Sequence, residues 1–216
     1  GTGVHGIAQV GDEWFLGNFE LGGWNVYDSN FIQTGTVAVS PPIGTVRGLC
    51  FDMNAGTMFV GEYSAQMIHE TTTAGVILNS FPTVVSGFNA LAFNPDNDHV
   101  FAVGYQGQVQ ELTRTGTQVN IWTGSYNWTG AACDYVNDTI LLMEGDDRVL
   151  EYEFDGTLVE MVITGDAVPD NGQGLAYDSL TGILHATGQY GQIGIWERAV
   201  VTATESTSWG ALKAMY

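Results

Sequence analysis

The stretch FNALAFNPDNDHVFAVGYQGQVQELTRTGTQVNIWT, residues 88–123, reads as four short strands separated by turns. Apolar ALAFN leads into the turn residues PDND, then come HVFAVG, QVQELT, the hairpin turn RTGT and finally QVNIWT. Short β-branched and aromatic runs bounded by Gly, Pro, Asn and Asp are what strands and tight turns require. No helical spacing of apolar residues is sustained in it, so a helix is not expected.

The pattern recurs along the chain. VHGIA from Val4, VRGLCF from Val46, FNALAF from Phe88, WTGAAC from Trp128 and GQGLAY from Gly172 each place one polar residue before a small residue and an apolar run. The small residues are Gly6, Gly48, Ala90, Gly130 and Gly174, at intervals of 42, 42, 40 and 44. A second marker, the glycine closing the next apolar segment, falls at Gly17, Gly61, Gly104, Gly145 and Gly188, and a third at Gly35, Gly75, Gly116 and Gly156. Units of roughly 40 residues with four strands each are the pattern of β-propeller blades. The chain is therefore expected to be all-β, a five-bladed propeller with four antiparallel strands per blade. It should span residues 1–206, with blades beginning near 4, 46, 88, 128 and 172, followed by a tail or linker at 207–216. The fifth unit lacks the hairpin glycine, so ring closure is expected to use residues 199–205 as an outer strand or to borrow the N-terminus.

Composition narrows the partners. Among 216 residues there are 24 Asp and Glu against 5 Lys and Arg, a net charge of −19. Such a surface repels nucleic acid backbones and anionic membranes, and no basic cluster offers a local exception. No apolar run is long enough for a membrane span, so no membrane insertion is expected. The reading is of an acidic exoprotein, secreted or at the cell surface. Cys50 and Cys133 both sit in apolar runs, where free Cys behaves as a small hydrophobe. Asn127 and Asn137 head glycosylation sequons.

ALAFNPDNDHVFAVGYQGQVQELTRTGTQV and GLAYDSLTGILHATGQYGQIGIWE resemble the propeller superfamily that includes NHL-repeat and SMP-30/gluconolactonase-like proteins. The resemblance covers nearly the whole chain and defines blades. For the SMP-30-like branch it implies a divalent metal held near the channel by carboxylate and amide oxygens, the ligation that hard cations prefer. Asn89 stands at a position similar to the channel asparagine of those lactonases, and a cation such as Ca²⁺ is the cofactor so implied.

In a blade the innermost strand starts at the end where the second strand finishes. His5, Arg47, Asn89, Thr129 and Gln173 should therefore ring one mouth of the channel. The loops after the second strands would bring Asn18, Glu62, Tyr63, Tyr105, Gln106, Asp146, Asp147, Gln189 and Tyr190 to the same face. Convergent polar groups at a concave mouth are the ordinary geometry of a binding site. From these, His5, Arg47, Asn89, Thr129, Gln173, Glu62, Tyr105, Asp146 and Tyr190 form the candidate ligand-binding set. Trp24, Tyr63, Tyr105, Trp128 and Tyr190 could stack on sugar faces.

The innermost ring holds no Asp or Glu, whereas a glycosidase needs two carboxyl groups flanking the cleaved bond. No nucleophile elbow, P-loop or zinc-protease motif is present, and His69, His99 and His185 fall in separate units. The acidic stretches Asp96–Asp98 and Asp166–Asn171 are explained by turn chemistry. The sequence thus points to a noncatalytic binding module for a small molecule, glycan or protein, with no catalytic residue assigned. The alternatives are a metal-dependent lactonase or hydrolase of the SMP-30-like type and a structural module of a larger surface protein.

Overall fold

A computed structural model describes residues 3–124, 126–145, 148–164, 172–188 and 192–197. Blade 1 consists of β1 (Val4–Val10), β2 (Glu13–Asn18), β3 (Gly23–Tyr27) and β4 (Gln33–Ala38). Blade 2 has β5 (Val46–Asp52), β6 (Thr57–Glu62), β7 (Met67–Thr72) and β8 (Ile77–Pro82). Blade 3 has β9 (Phe88–Asn94), β10 (His99–Gly104), β11 (Gln108–Thr113) and β12 (Gln118–Thr123). Blade 4 has β13 (Trp128–Asp134), β14 (Thr139–Glu144), β15 (Arg148–Glu153) and β16 (Leu158–Thr164). Blade 5 contributes β17 (Gly172–Asp178), β18 (Ile183–Gly188) and β19 (Ile193–Glu197).

Each sheet runs in sequence order, and every described pairing between these strands is antiparallel. The innermost strands lie side by side in the order β1, β5, β9, β13, β17, and β17 returns to β1. The five-bladed propeller expected from the repeat is thereby formed. The closure strand expected at 199–205 and the tail at 207–216 lie outside the described residues.

The core sits between blades. Phe59, Ile68 and Phe81 of blade 2 pack with Phe88, Leu91 and Val100 of blade 3, while Phe101 and Val103 meet Trp128, Ile140 and Leu142 across the next seam. Burial of these apolar faces is the principal favourable term in such a sheet stack. The outermost strands β4 and β12 alternate exposed and half-buried residues, as expected of strands with one face in water.

In blades 2 to 5 the turns joining first and second strands are built alike. Asp52, Asn94, Asp134 and Asp178 accept hydrogen bonds from backbone N–H groups two or three residues on, including Asn54, Asp96, Val136 and Leu180 at 2.8, 2.9, 3.1 and 2.9 Å. These are Asx turns, which replace a strand ladder with a local side-chain partner. Asp96–Asp98 belongs to such a turn, whereas Asp166–Asn171 falls outside the described residues. Both sequon asparagines are exposed, and the Asn137 amide donates to Asp134 at 2.8 Å. Cys50 and Cys133 are free thiols, and burial pushes both upward from the usual thiol range.

Candidate functional site

The polar residue heading each repeat has a specific structural cause. Pairing of the first two strands jumps between Val4 and Ile7, Val46 and Leu49, Phe88 and Ala90, Trp128 and Gly130, and Gly172 and Gly174. His5, Arg47, Asn89, Thr129 and Gln173 are therefore left out of the ladder at a β-bulge in every blade. A bulge residue has no cross-strand partner and its side chain is re-aimed, here to the centre of the ring. The following position must be small because neighbouring inner strands nearly touch. A Cβ at Gly48 would lie 2.7 Å from the Leu91 backbone nitrogen, and its φ of 80° already requires glycine.

The ring closes the channel more than it opens it. Asn89 is 0% exposed and bridges two neighbours. Its Oδ1 accepts from Arg47 Nη1 at 3.1 Å, and its Nδ2 donates to the Trp128 carbonyl at 3.3 Å. Thr129 Oγ1 donates to the Met143 carbonyl at 3.3 Å. His5 and Gln173 are buried next to one another. Burial lowers the His5 pKa to about 4, the positive charge of Arg47 adds to the drop, and Gln173 opposes it, so His5 is neutral at neutral pH. Three buried polar atoms of the ring, His5 Nδ1, Arg47 Nε and Gln173 Oε1, have no hydrogen-bond partner.

What the ring offers outward is Arg47. Its guanidinium carbon lies 4.3 Å from the Tyr63 ring centre, 5.4 Å from that of Phe19 and 5.5 Å from that of Tyr105, whose hydroxyl also accepts from Nη1 at 3.2 Å. Contacts of this kind hold a cation by the ring quadrupole. Among the described residues Arg114 and Arg148 pair with carboxylates, but Arg47 forms no ion pair. Phe19 and Tyr63 are 36% and 38% exposed, so this group reaches the surface.

The other expected site residues divide. Glu62 is held by structure: it accepts from the Gly44 backbone at 2.8 Å and meets His69 Nε2 at 3.1 Å. Asn18 is a buried turn former whose Oδ1 accepts from the backbone of Glu20 and Leu21. Trp24 and Trp128 are wholly buried, which corrects the expectation that they could stack on sugars: both fill the core between blades. Asp146, Asp147, Gln189 and Tyr190 lie outside the described residues. Sequence reading passed over Phe19, although it stands two residues after Gly17 as Tyr63 stands two after Gly61. That offset was the available signal.

A hard cation does not fit the described donors. The Asn89 oxygen that would ligate it faces the Arg47 guanidinium, and the carboxylate of Glu62 is already bonded elsewhere. Among the described residues no three His, Cys, Asp or Glu converge as metal ligands would.

Fold and site together define a five-bladed propeller with a plugged polar centre and an arginine–aromatic face. No protein-family model matches the sequence, and no curated protein matches it. The chain is similar in structure to a propeller in a crystal structure of a nidogen/laminin complex. That likeness has a TM-score of 0.63 and 12% identity, over 87% of this chain and 76% of that one. It is one of 1523 matching chains, so what it establishes is the architecture.

Proposed function

We propose that the chain is a noncatalytic binding module that recognises a protein partner through the Arg47 face. The observation that carries this reading is Arg47 itself. In a chain of net charge −19 it keeps a guanidinium without a carboxylate partner among the described residues, braced by Phe19, Tyr63 and Tyr105. Arginine and aromatic residues in a desolvated cluster are the usual anchors of protein interfaces. The burial of Asn89, Thr129 and Gln173 favours a broad surface ligand over a small molecule entering the channel. A matching partner would be basic overall, complementing the acidic surface, and would place a carboxylate or carbonyl oxygen on Arg47. Precedent comes from the neighbouring propeller, which belongs to a protein complex. The resemblance to NHL-repeat and SMP-30-like propellers enters this reading at the level of the blade only, and the setting it suits is extracellular.

The test screens displayed protein domains and a glycan array against the wild type, Arg47→Ala and Tyr63→Ala. Protein hits weakened about thirtyfold by either substitution, the size of one interface hot spot, support the reading. Hits indifferent to both place recognition elsewhere on the molecule, and hits confined to glycans replace the protein partner by a sugar.

A further inference from the structure

The channel opens on the face opposite Arg47, where the inner strands end. There the five inner strands and the turns after them enclose a cavity of about 310 Å³. That is the lower end of the range in which small ligands are held. Its wall is apolar, with Ile7, Leu49, Ala131, Ala132 and Leu175, and small side chains at several of these positions leave the space free. Aromatic side chains also line it: Phe51, Phe93, Tyr135 and Tyr177, with Trp14 tilted against His185 at 4.2 Å between ring centres.

Among the described residues no Lys or Arg lines the cavity, while Asp178 does. Burial acts against ionisation of Asp178, but bonds from Thr181 and from the Leu180 and Thr181 backbone outweigh it and hold the carboxyl below its ordinary range. Burial brings the His185 pKa down to about 4, so that ring is uncharged at neutral pH. The Tyr135 phenol is pushed up by burial and then by Asp178, Asp96 and Asp134. Arg114, on the turn between β11 and β12, is already shared among Asp52, Glu70 and Asp98.

We propose that this cavity is a second binding site, taking a small apolar molecule that carries a protonated amine. The apolar body lies against the wall of Ile7, Leu49 and Leu175. The ammonium stays at the mouth among Asp178, Tyr135 and Tyr177, where a carboxylate and ring faces both favour a cation. An anionic ligand of the same shape is repelled.

Calorimetric titration with three compounds sharing one apolar body, naphthylmethylamine, naphthylmethanol and naphthoate, tests this on the whole chain. The amine should saturate one site and bind about fivefold tighter than the alcohol, the scale of one partly exposed charge contact, with naphthoate weakest. Asp178→Asn should bring the amine down to the level of the alcohol and leave the alcohol unchanged. The turn tolerates that substitution because Asn94 does the same work in blade 3. Leu180→Arg, at a residue lining the cavity and 72% exposed, should weaken the amine and strengthen naphthoate without touching the core. Arg47→Ala, on the other face, should change none of the three. Absence of saturable amine binding, equal affinity for amine and naphthoate, or full amine binding by Asp178→Asn would each overturn the proposal.

Discussion

Arg47 and Arg114 carry the same guanidinium into opposite surroundings. Arg114 leaves the hairpin turn of blade 3 and joins Asp52, Glu70 and Asp98, with Thr57 Oγ1 accepting from its Nη2 at 2.9 Å. Asp52 is fully buried, so this group ties blade 2 to blade 3 through a charge that has no access to water. Removing one partner of a buried pair leaves the other uncompensated, which costs about 3 kcal/mol or more. Arg114→Met is expected to lower stability by that order, read from urea unfolding, while Arg47→Ala costs only what one orphaned acceptor on Asn89 costs, about 1–3 kcal/mol. A smaller loss for Arg114→Met than for Arg47→Ala would show that the network is not what holds the seam. The repeat separates these two arginines by place, Arg47 at the head of an inner strand and Arg114 in a hairpin turn, but not by partner. Positions 52, 57, 70, 98 and 114 converge only once two blades are docked, and the distinction between a paired and an unpaired guanidinium is made entirely by that docking.

At the level of the strand, one device is repeated five times: a bulge at the start of the inner strand, followed by a small residue where the next blade presses in. This is why the repeat was readable. The spacing of Gly6, Gly48, Ala90, Gly130 and Gly174 reflects a steric demand that returns with every blade, and such demands leave marks in a single sequence. The polar residue ahead of it was also visible, and so was its direction toward the centre. Its degree of burial was not, because closure of a five-membered ring sets how near the inner strands come, and that distance is a property of all the blades together. Gly48→Ala isolates the device. Its φ of 80° and the 2.7 Å approach to Leu91 N both oppose a methyl group. A left-handed conformation at a non-glycine residue costs about 1–3 kcal/mol, and a contact against backbone cannot be relieved by a rotamer change. The midpoint of urea unfolding should drop accordingly with the slope unchanged, and an unaltered midpoint would mean that the bulge can re-form without glycine.

For the molecule as a whole, both mouths of the channel keep a histidine out of water. His5 lies in the plug of one face and His185 beside the cavity of the other, each with its pKa lowered from 6.5 to about 4 chiefly by burial. His5 has Arg47 and Gln173 as neighbours, and His185 has Asp178. The unfolded chain protonates both near 6.5, so between there and 4 it binds more protons than the folded chain. Stability is therefore full above pH 6.5 and declines as the pH falls toward 4, by about 2 kcal/mol per histidine at about pH 5. Carboxyl groups ordinarily titrate lower, near pH 4, and neutralising them relieves the self-repulsion of a −19 chain and acts in the opposite sense. The histidine effect thus has the upper part of the window to itself. Urea unfolding at about pH 7.5 and about pH 5 should show the wild type losing stability that the double variant His5→Asn, His185→Phe retains. His69 and His99, which face Glu62 and Glu111, are present in both proteins and drop out of the difference. Parallel losses in the two proteins would mean that water reaches both rings, and with it both ends of the channel.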